Sequence, residues 1–395
     1  MIEAVGTRAR GLRSQRPETL EATSAIRRLD WWLLGAVAGL LAFGLWAIHG
    51  ITAHDVTGNP DYFFTRQAIY AAVGVAGALV LLFVDPQFYR RHMWTIYIGT
   101  TGVMLLVLLA GTVSRHSKRW LDIGFFRFQP SEFGKLLFVL FLAAFLADRA
   151  KRLGESRTVL EAIGFGLVPI LLVFVQPDIG TAMVYIAALA AVLFVAGTRW
   201  LHLALLAALA VALVAGVVWV APSAGIEVLK PYQTARLTGF TNPDADPAGL
   251  TYNLNQSITA VGAGGIDGRG VSEASQTRFD YLPEHATDFV FASFAEQRGF
   301  FGAAILLLLY LLVVWRGLRV VTVAGDLYGA MVAGGIVFAF LFQIFVNIGM
   351  TMGIAPVTGI PLPYVTVGGS SMVANLVAIG VLEAIHARGR PDAFR

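Results

Sequence analysis

Apolar residues run through this chain in long unbroken blocks, without the strict alternation of half-buried strands. The blocks lie near 31–49, 67–84, 93–111, 131–148, 158–175, 179–197, 200–220, 287–315, 325–350 and 372–387. A membrane-spanning helix needs about 20 predominantly apolar residues, so the pattern predicts about ten spans. The expected fold class is an all-α polytopic membrane protein with a large extracytoplasmic loop between the seventh and eighth spans. The fourth block opens with Glu132 and Lys135, and the eighth carries Asp288, Glu296 and Arg298 in its first turns. Residues 1–30 are expected as a disordered cytoplasmic tail, 31–388 as the membrane domain with the loop at 221–286, and 389–395 as a second cytoplasmic tail.

Composition agrees with the blocks. Of 395 residues, 57% are hydrophobic and 14% charged, and the mean hydropathy is +0.70, too apolar for a soluble domain. Cysteine is absent, which excludes disulfides and thiolate metal sites. The net charge of +4 does not indicate nucleic acid, because the cations fall in short clusters between apolar blocks. Six arginines, at 8, 10, 13, 16, 27 and 28, precede the first block, which has no convincing cleavage site after it and is read as an uncleaved signal anchor.

With the N-terminus cytoplasmic, the short inner loops hold Arg90 and Arg91, then Arg149, Lys151, Arg152 and Arg157, then Arg199, then Arg316 and Arg319. The C-terminal tail adds Arg388, Arg390 and Arg395, so every short inner segment is basic, as the positive-inside rule requires. Two outer segments break that rule. One spans 111–129 and carries Arg115, Lys118, Arg119 and Arg127; the other is the long stretch 221–286. Their cations either pair with lipid headgroups and local acids such as Asp122, or form a site for an anionic group such as phosphate. The long stretch holds turn signals, Thr241-Asn242-Pro243-Asp244 and Gly262-Ala263-Gly264-Gly265, and predicts short interfacial helices and glycine turns over the mouth of the bundle.

Ionisable residues in or beside spans are costly and mark function or a specific partner. Glu132 and Lys135 follow Pro130, lie one turn apart, and can form an ion pair that either faces a cavity or simply joins helices. Asp178, in Gln176-Pro177-Asp178-Ile179-Gly180-Thr181, fits the N-cap of the next span. Asp288, in Pro283-Glu284-His285-Ala286-Thr287-Asp288-Phe289, is expected in the first turn of a helix, as a cap or as a carboxylate poised for general-base chemistry.

Several segments together resemble the family of shape, elongation, division and sporulation proteins that contains RodA and FtsW. They are Arg119-Trp120-Leu121-Asp122, Phe128-Gln129-Pro130-Ser131-Glu132-Phe133-Gly134-Lys135, Gln176 to Thr181, Tyr232-Gln233 with Arg236, and Tyr252-Asn253 with Gln256-Ser257. Leu282-Pro283-Glu284 with Thr287-Asp288-Phe289, and Pro361-Leu362-Pro363 with Gly368-Gly369-Ser370-Ser371, complete the set in order along residues 31–388. Asn347 to Met350, Pro356 to Pro363 and Gly262 to Gly265 resemble the elongation branch more than the division branch. There are two departures: His285 precedes Ala286 where the family reads histidine directly before Thr-Asp, and Gln297-Arg298 stands where an acid and a less polar residue are common.

The resemblance implies polymerisation of lipid II, an undecaprenyl-diphosphate-linked disaccharide-pentapeptide, into β-1,4 glycan at the outer face of the cytoplasmic (inner) membrane, with both termini inside. It implies Asp288 as the base for the acceptor hydroxyl and Arg119, Lys135 and Arg236 as clamps on the diphosphate. Glu132, Asp178, Lys230, Gln256, Asp280 and Ser370 complete the expected substrate-binding set. Donor and product have opposite anomeric configuration, so one inverting displacement suffices and no covalent intermediate is required. No cofactor is fixed; a divalent cation such as Mg2+ is a candidate, with Asp280 and Glu132 as oxygen donors. The expected partners are lipid II, membrane lipids and a class B penicillin-binding transpeptidase, which the apolar outer faces of the eighth and ninth spans could dock; the same faces also suit plain lipid contact. A lipid II flippase and a non-catalytic scaffold are the competing readings, because buried charges and Gly/Pro-interrupted spans also mark transporters.

Overall fold

The computed structural model describes residues 27–389 apart from 115–116, 125, 217–219, 221–222, 224–233, 235, 237–238 and 242–250. The N-terminal tail, Lys230, most of Thr241 to Asp244 and the last six residues therefore lie outside the described residues. In chain order the helices are α1 (Trp31–Ile51), α2 (Tyr62–Phe83), α3 (Pro86–Arg91), α4 (Met93–Ala110), α5 (Pro130–Ala147), α6 (Ser156–Val175), α7 (Ile179–Val195) and α8 (Trp200–Ala215). They continue with α9 (Tyr252–Gly264), α10 (Gly270–Glu273), α11 (Ser275–Arg278), α12 (Val290–Val323), α13 (Leu327–Thr351) and α14 (Gly369–Ala387). Eight of these are long and apolar enough to cross a membrane, and the shorter apolar α7 and α8 occupy the sixth and seventh expected positions. The all-α polytopic membrane fold is as expected.

Boundaries move where charges find partners. α2 starts at Tyr62 rather than near 67, because the Arg66 guanidinium donates to the hydroxyls of Tyr62 and Tyr70 on its own helix. α12 runs on to Val323, past Arg316, which the sequence places in an inner loop. Arg316 is buried and donates from Nε to both carboxylate oxygens of Asp30 at 3.0 and 2.8 Å. Asp30 also caps α1 by accepting from Leu33 N, and its own N–H donates to Glu383 of α14 at 3.0 Å. One buried ionic knot thus ties α1, α12 and α14 at the basic end of the bundle.

The cationic segment after α4 is not loop. It folds as an antiparallel sheet of β1 (Thr112–Ser114), β2 (Ser117–Ile123) and β3 (Phe126–Phe128), the only strands among the described residues. Asp122 pairs across β2–β3 with Arg127 and forms a 3.3 Å ion pair with it. For Arg127 the partner is thus the local acid Asp122, the first of the two expected alternatives.

Burial separates centre from periphery. Of the most apolar stretch of each helix, 89% of α14 and 83% of α5 is buried, against 11% of α4, so α4 faces hydrocarbon. Small residues let the central helices approach closely: Gly74 of α2 abuts Val373 and Leu376 of α14, and Gly335 of α13 abuts Val139 and Val192. Pro169 inside α6 leaves the Phe165 carbonyl without its helical donor, and the Tyr97 hydroxyl of α4 supplies one at 3.0 Å.

Short helices α9 to α11 cover one end of the bundle, as the turn-rich stretch predicts. Their docking explains a break in α12 at Gly299 (φ 61°, ψ −162°). The N–H groups of Phe300 and Phe301, which the break frees, donate to the carbonyls of Gly265 and Ile266 at 2.9 and 3.4 Å. The Glu296 carboxylate, fully buried, accepts from the backbone of Gln276 and Thr277 and from the Thr277 hydroxyl, fastening α11 to α12.

Candidate functional site

α12 begins at Val290, so Asp288 stands ahead of the helix, not in its first turn as the sequence suggests. The residues before it form a hydrogen-bonded turn: Thr287 N and Phe289 N both donate to the Glu284 carbonyl, and the Thr287 hydroxyl donates to the Glu284 carboxylate at 2.7 Å. This leaves Asp288 half-buried at the end of the bundle opposite the basic knot.

The backbone of Asp288 is fixed from inside. Asn347 of α13, fully buried, donates from one amide nitrogen to the carbonyls of Asp288 (3.0 Å) and Ile360 (2.8 Å). Thr366 Oγ1 donates to the Thr287 carbonyl and Val367 N to the Ala286 carbonyl. These bonds lock the turn to the segment 352–368, which joins α13 to α14 and sinks into the bundle with Ile360, Leu362, Tyr364 and Val365 buried. Irregular backbone at such depth requires internal partners. Tyr310 donates to the Pro363 carbonyl at 2.6 Å and Gln67 to the Thr366 carbonyl at 2.9 Å. At Gly359 (φ +72°) a β-carbon would lie 3.3 Å from Asp288 Oδ2, so the carboxylate rests directly against that glycine.

In front of Asp288 opens a small pocket lined by Arg236, Asn253, Leu254, Glu284, Asp288 and Val357 among others. α9 forms one wall and is held by Ser257, whose hydroxyl donates to the Thr351 carbonyl. Arg236 is placed by its own carbonyl, which accepts from Val357 N at 3.1 Å. One cation and two carboxylates therefore share one accessible hollow. This arrangement can abstract a proton beside a group that binds anions.

The other expected residues fall into two separate clusters. Arg119 is committed to the turn before α7: it donates to the carbonyls of Gln176 (3.1 Å) and Pro177 and lies 3.6 Å from Asp178. Asp178 caps α7 through Thr181 N and accepts from Gln129. Ser370 accepts from Gln129 N and donates to the Arg127 carbonyl, tying β3 to α14. These contacts fasten the sheet to the helices, and none of these residues lines the Asp288 pocket. Of the three cations expected as clamps, Arg119, Lys135 and Arg236, Arg236 lines this pocket.

Glu132 and Lys135 do pair, at 2.8 Å, and Lys135 also donates to Gln343 of α13 at 2.9 Å. They border a second, largely apolar pocket between α5, α13 and α14. Gln256 lies on α9 but not in the pocket lining. Asp280 is 80% exposed, its carboxylate 3.1 Å from His285 Nδ1. Lys230 lies outside the described residues. Among those residues no group of three or more His, Asp or Glu side chains suits a metal ion. Glu284 and Asp288 together offer two carboxylates, which suits Mg2+ only with further oxygens from a bound phosphate.

Sequence reasoning missed three participants. Asn347 carried a signal, an amide inside an apolar block one turn after Gln343, where a polar side chain needs a partner. Glu284 sits in the same motif as Asp288, but only the turn shows that both reach one hollow. Asp55, between α1 and α2, meets His285 Nε2 at 3.1 Å across 230 positions of sequence, which local pattern does not reveal.

Comparison with known proteins gives the family. Residues 27–390 match the family described as "Cell cycle protein", which groups FtsW, RodA and SpoVE. Stage V sporulation protein E of Bacillus subtilis is 36% identical, covering 87% of this chain and 93% of its own. Peptidoglycan glycosyltransferase MrdB of Escherichia coli is 34% identical, covering 91% and 93%. Among solved structures, a chain described under structural coordination of polymerization and crosslinking by a peptidoglycan synthase complex superposes with TM-score 0.77 at 30% identity, covering 92% of this chain and 99% of its own. Rod shape determining protein RodA of Thermus thermophilus gives 0.66 at 26% identity, covering 93% and 98%. With the match spanning nearly the whole chain, the protein belongs to the FtsW, RodA and SpoVE family.

Proposed function

We propose that this protein is a peptidoglycan glycosyltransferase that polymerises lipid II, acting in cell elongation as RodA-type members do. The observation that carries the reading is the hollow in which Asp288, Glu284 and Arg236 meet. Relatives named as glycosyltransferases, MrdB among them, support the activity. The elongation role rests on Asn347 to Met350 and Pro356 to Pro363, since relatives named for sporulation and division are similarly identical.

Asp288 takes the proton of the acceptor sugar hydroxyl as its oxygen attacks the anomeric carbon of the donor. The bond from that carbon to the undecaprenyl diphosphate oxygen breaks with inversion, and the electron pair leaves on the phosphate. A positioned base contributes roughly 10²–10⁴-fold to such a step. Arg236 stands where charge grows on the leaving diphosphate, so its help is greater in the transition state than in the ground state. A divalent cation, if the protein takes one, would be held by Glu284 and Asp288 and would supply neutralisation of the same charge.

Orientation follows from charge. Arg90, Arg149, Arg157, Arg319 and Arg388 flank the end that holds the Asp30–Arg316 knot, which supports a cytoplasmic placement of both termini. The pocket then faces outward, where lipid II is presented, and a class B penicillin-binding transpeptidase is the partner suited to crosslinking its product. Purified protein with labelled lipid II and that partner should yield long glycan on a gel. A flippase would instead move lipid II across liposomes without polymer, and a scaffold would do neither.

A further inference from the structure

Arg298 stands on α12 immediately before the Gly299 break and lines no part of the Asp288 pocket. Its guanidinium carbon lies 3.6 Å from the centre of the Trp46 ring on α1. Nε is buried without an acceptor, and among the described residues no carboxylate pairs with the guanidinium. Glu296, two residues earlier, is spent on Gln276 and Thr277. The residue is only partly buried, so its terminal nitrogens stay reachable from outside. An arginine inside a span is costly and almost always meets a partner. The ring covers one face and contributes about 0.5–2 kcal/mol, but it accepts no hydrogen bond from the terminal nitrogens. The position is also built: a β-carbon at Gly268 would strike the Arg298 backbone, and one at Gly302 would strike Arg298 Cβ. Both glycines thereby make room for this side chain.

We propose that Arg298 and Trp46 bind the phosphate of an anionic phospholipid in the leaflet on the Asp288 side, with an acyl chain laid along the seam between α1 and α12. Depth supports a headgroup: Trp46 is five residues before the end of α1 at Ile51, roughly 8 Å along the axis at 1.5 Å per residue. Tryptophan concentrates at that level of a bilayer. Gly302, Ile305 and Leu309 continue below Arg298 at helical spacing, toward the bilayer centre. Leu309 packs on Gly39 of α1, Phe43 of α1 lies edge-on to Phe294, and Ile305 is exposed, so the seam is apolar and open to a chain. The two terminal nitrogens of Arg298 donate to two phosphate oxygens, a charge-assisted bidentate pair. A zwitterionic headgroup brings its own cation to that phosphate, so an anionic one gains more from the unpaired arginine.

The lipid site does not rest on the glycosyltransferase reading, and a protein that makes no glycan leaves it intact. Native mass spectrometry of the full chain, titrated in turn with phosphatidylglycerol, phosphatidylcholine and lipid II, tests it. Phosphatidylglycerol should bind the parent, and Arg298→Leu should raise its Kd roughly ten- to hundredfold, the loss of a hydrogen bond to a charged group. Arg298→Lys, which keeps the charge but not the fork, should fall between. Phosphatidylcholine should bind more weakly and equally to all three. A second arm needs no variant: phosphatidylglycerol with a photoreactive acyl chain, irradiated with the unaltered protein, should label the peptides that hold Phe43 or Ile305. Equal phosphatidylglycerol affinity in parent and Arg298→Leu, phosphatidylcholine bound by the parent as tightly as phosphatidylglycerol, or label confined to other helices overturns the proposal. So does a loss in Arg298→Leu of lipid II affinity alone, which would assign the cation to the substrate instead.

Discussion

Asn347→Ala removes the amide that holds the Asp288 and Ile360 carbonyls at 3.0 and 2.8 Å. Each orphaned buried carbonyl costs about 1–3 kcal/mol. The substitution also removes the Asn347 Oδ1 acceptor, which has no partner, and so recovers one such penalty. The bond to the Asp288 carbonyl is only part-buried, so the balance, two penalties less one, is a destabilisation of at most about 1–3 kcal/mol before any cavity cost. The functional loss should be larger, because the freed carbonyl belongs to the proposed base: a misplacement near 1 Å costs on the order of 10²-fold in rate. Thermal unfolding in detergent and initial rates on lipid II read the two effects separately. Asn347→Asp is the control, since it keeps the volume while setting an oxygen against two carbonyl oxygens. It should be at least as damaging as alanine. An aspartate variant milder than the alanine one, or an alanine variant with parental melting and rate, would refute the hydrogen-bond argument.

Gly359→Ala should destabilise by about 1–2 kcal/mol, because φ +72° is left-handed backbone, and should slow polymerisation by less than the roughly 10²-fold of a 1 Å misplacement, because the new β-carbon meets Asp288 Oδ2 at 3.3 Å; an unchanged rate would place the carboxylate elsewhere. Gly299→Ala should destabilise by about 1–3 kcal/mol or more, since its backbone region is open essentially to glycine alone and the β-carbon would strike Ile266 and Gly268; a parental melting curve contradicts this. Arg316→Ala strands Asp30 in the bundle and should cost about 3–5 kcal/mol. Replacing Asp30 and Arg316 together with apolar residues should recover much of that loss, and a double variant no better than the single would count against the ionic knot.

The helices were readable because lipid imposes one requirement, a long apolar run with internally satisfied backbone, and the blocks at 93–111, 131–148 and 325–350 record it almost unaltered. Ends were misjudged where a charge is neutralised by a distant partner. Arg316 looked like a loop cation because Asp30, 286 positions away, is not local information. The same reason explains the sheet. The segment 112–128 is rich in cations and reads as a solvated loop, while its pairing depends on Ser370 and the α7 turn as anchors.

Of the candidate site, Asp288 and Arg236 were identified together, and the structure brings them to one pocket. Arg119 and Ser370 were equally prominent in motifs, yet their hydrogen bonds are spent on holding strand to helix. Motif membership does not separate a group that faces substrate from one that shapes the frame. Only the list of what each polar atom touches makes that distinction. His285 illustrates the reverse: its displacement by one position reads as a defect in the motif, whereas the fold supplies Asp55 to meet it.

The most direct test of the account is the turnover of lipid II by purified Asp288→Asn protein, compared with the parent and with Asp288→Glu. The amide keeps size and polarity but cannot accept the proton, so the account predicts a fall in kcat on the order of 10²–10⁴-fold with lipid II still bound, and partial activity in the glutamate variant. Glycan chains made by the asparagine variant at the parental rate would contradict it.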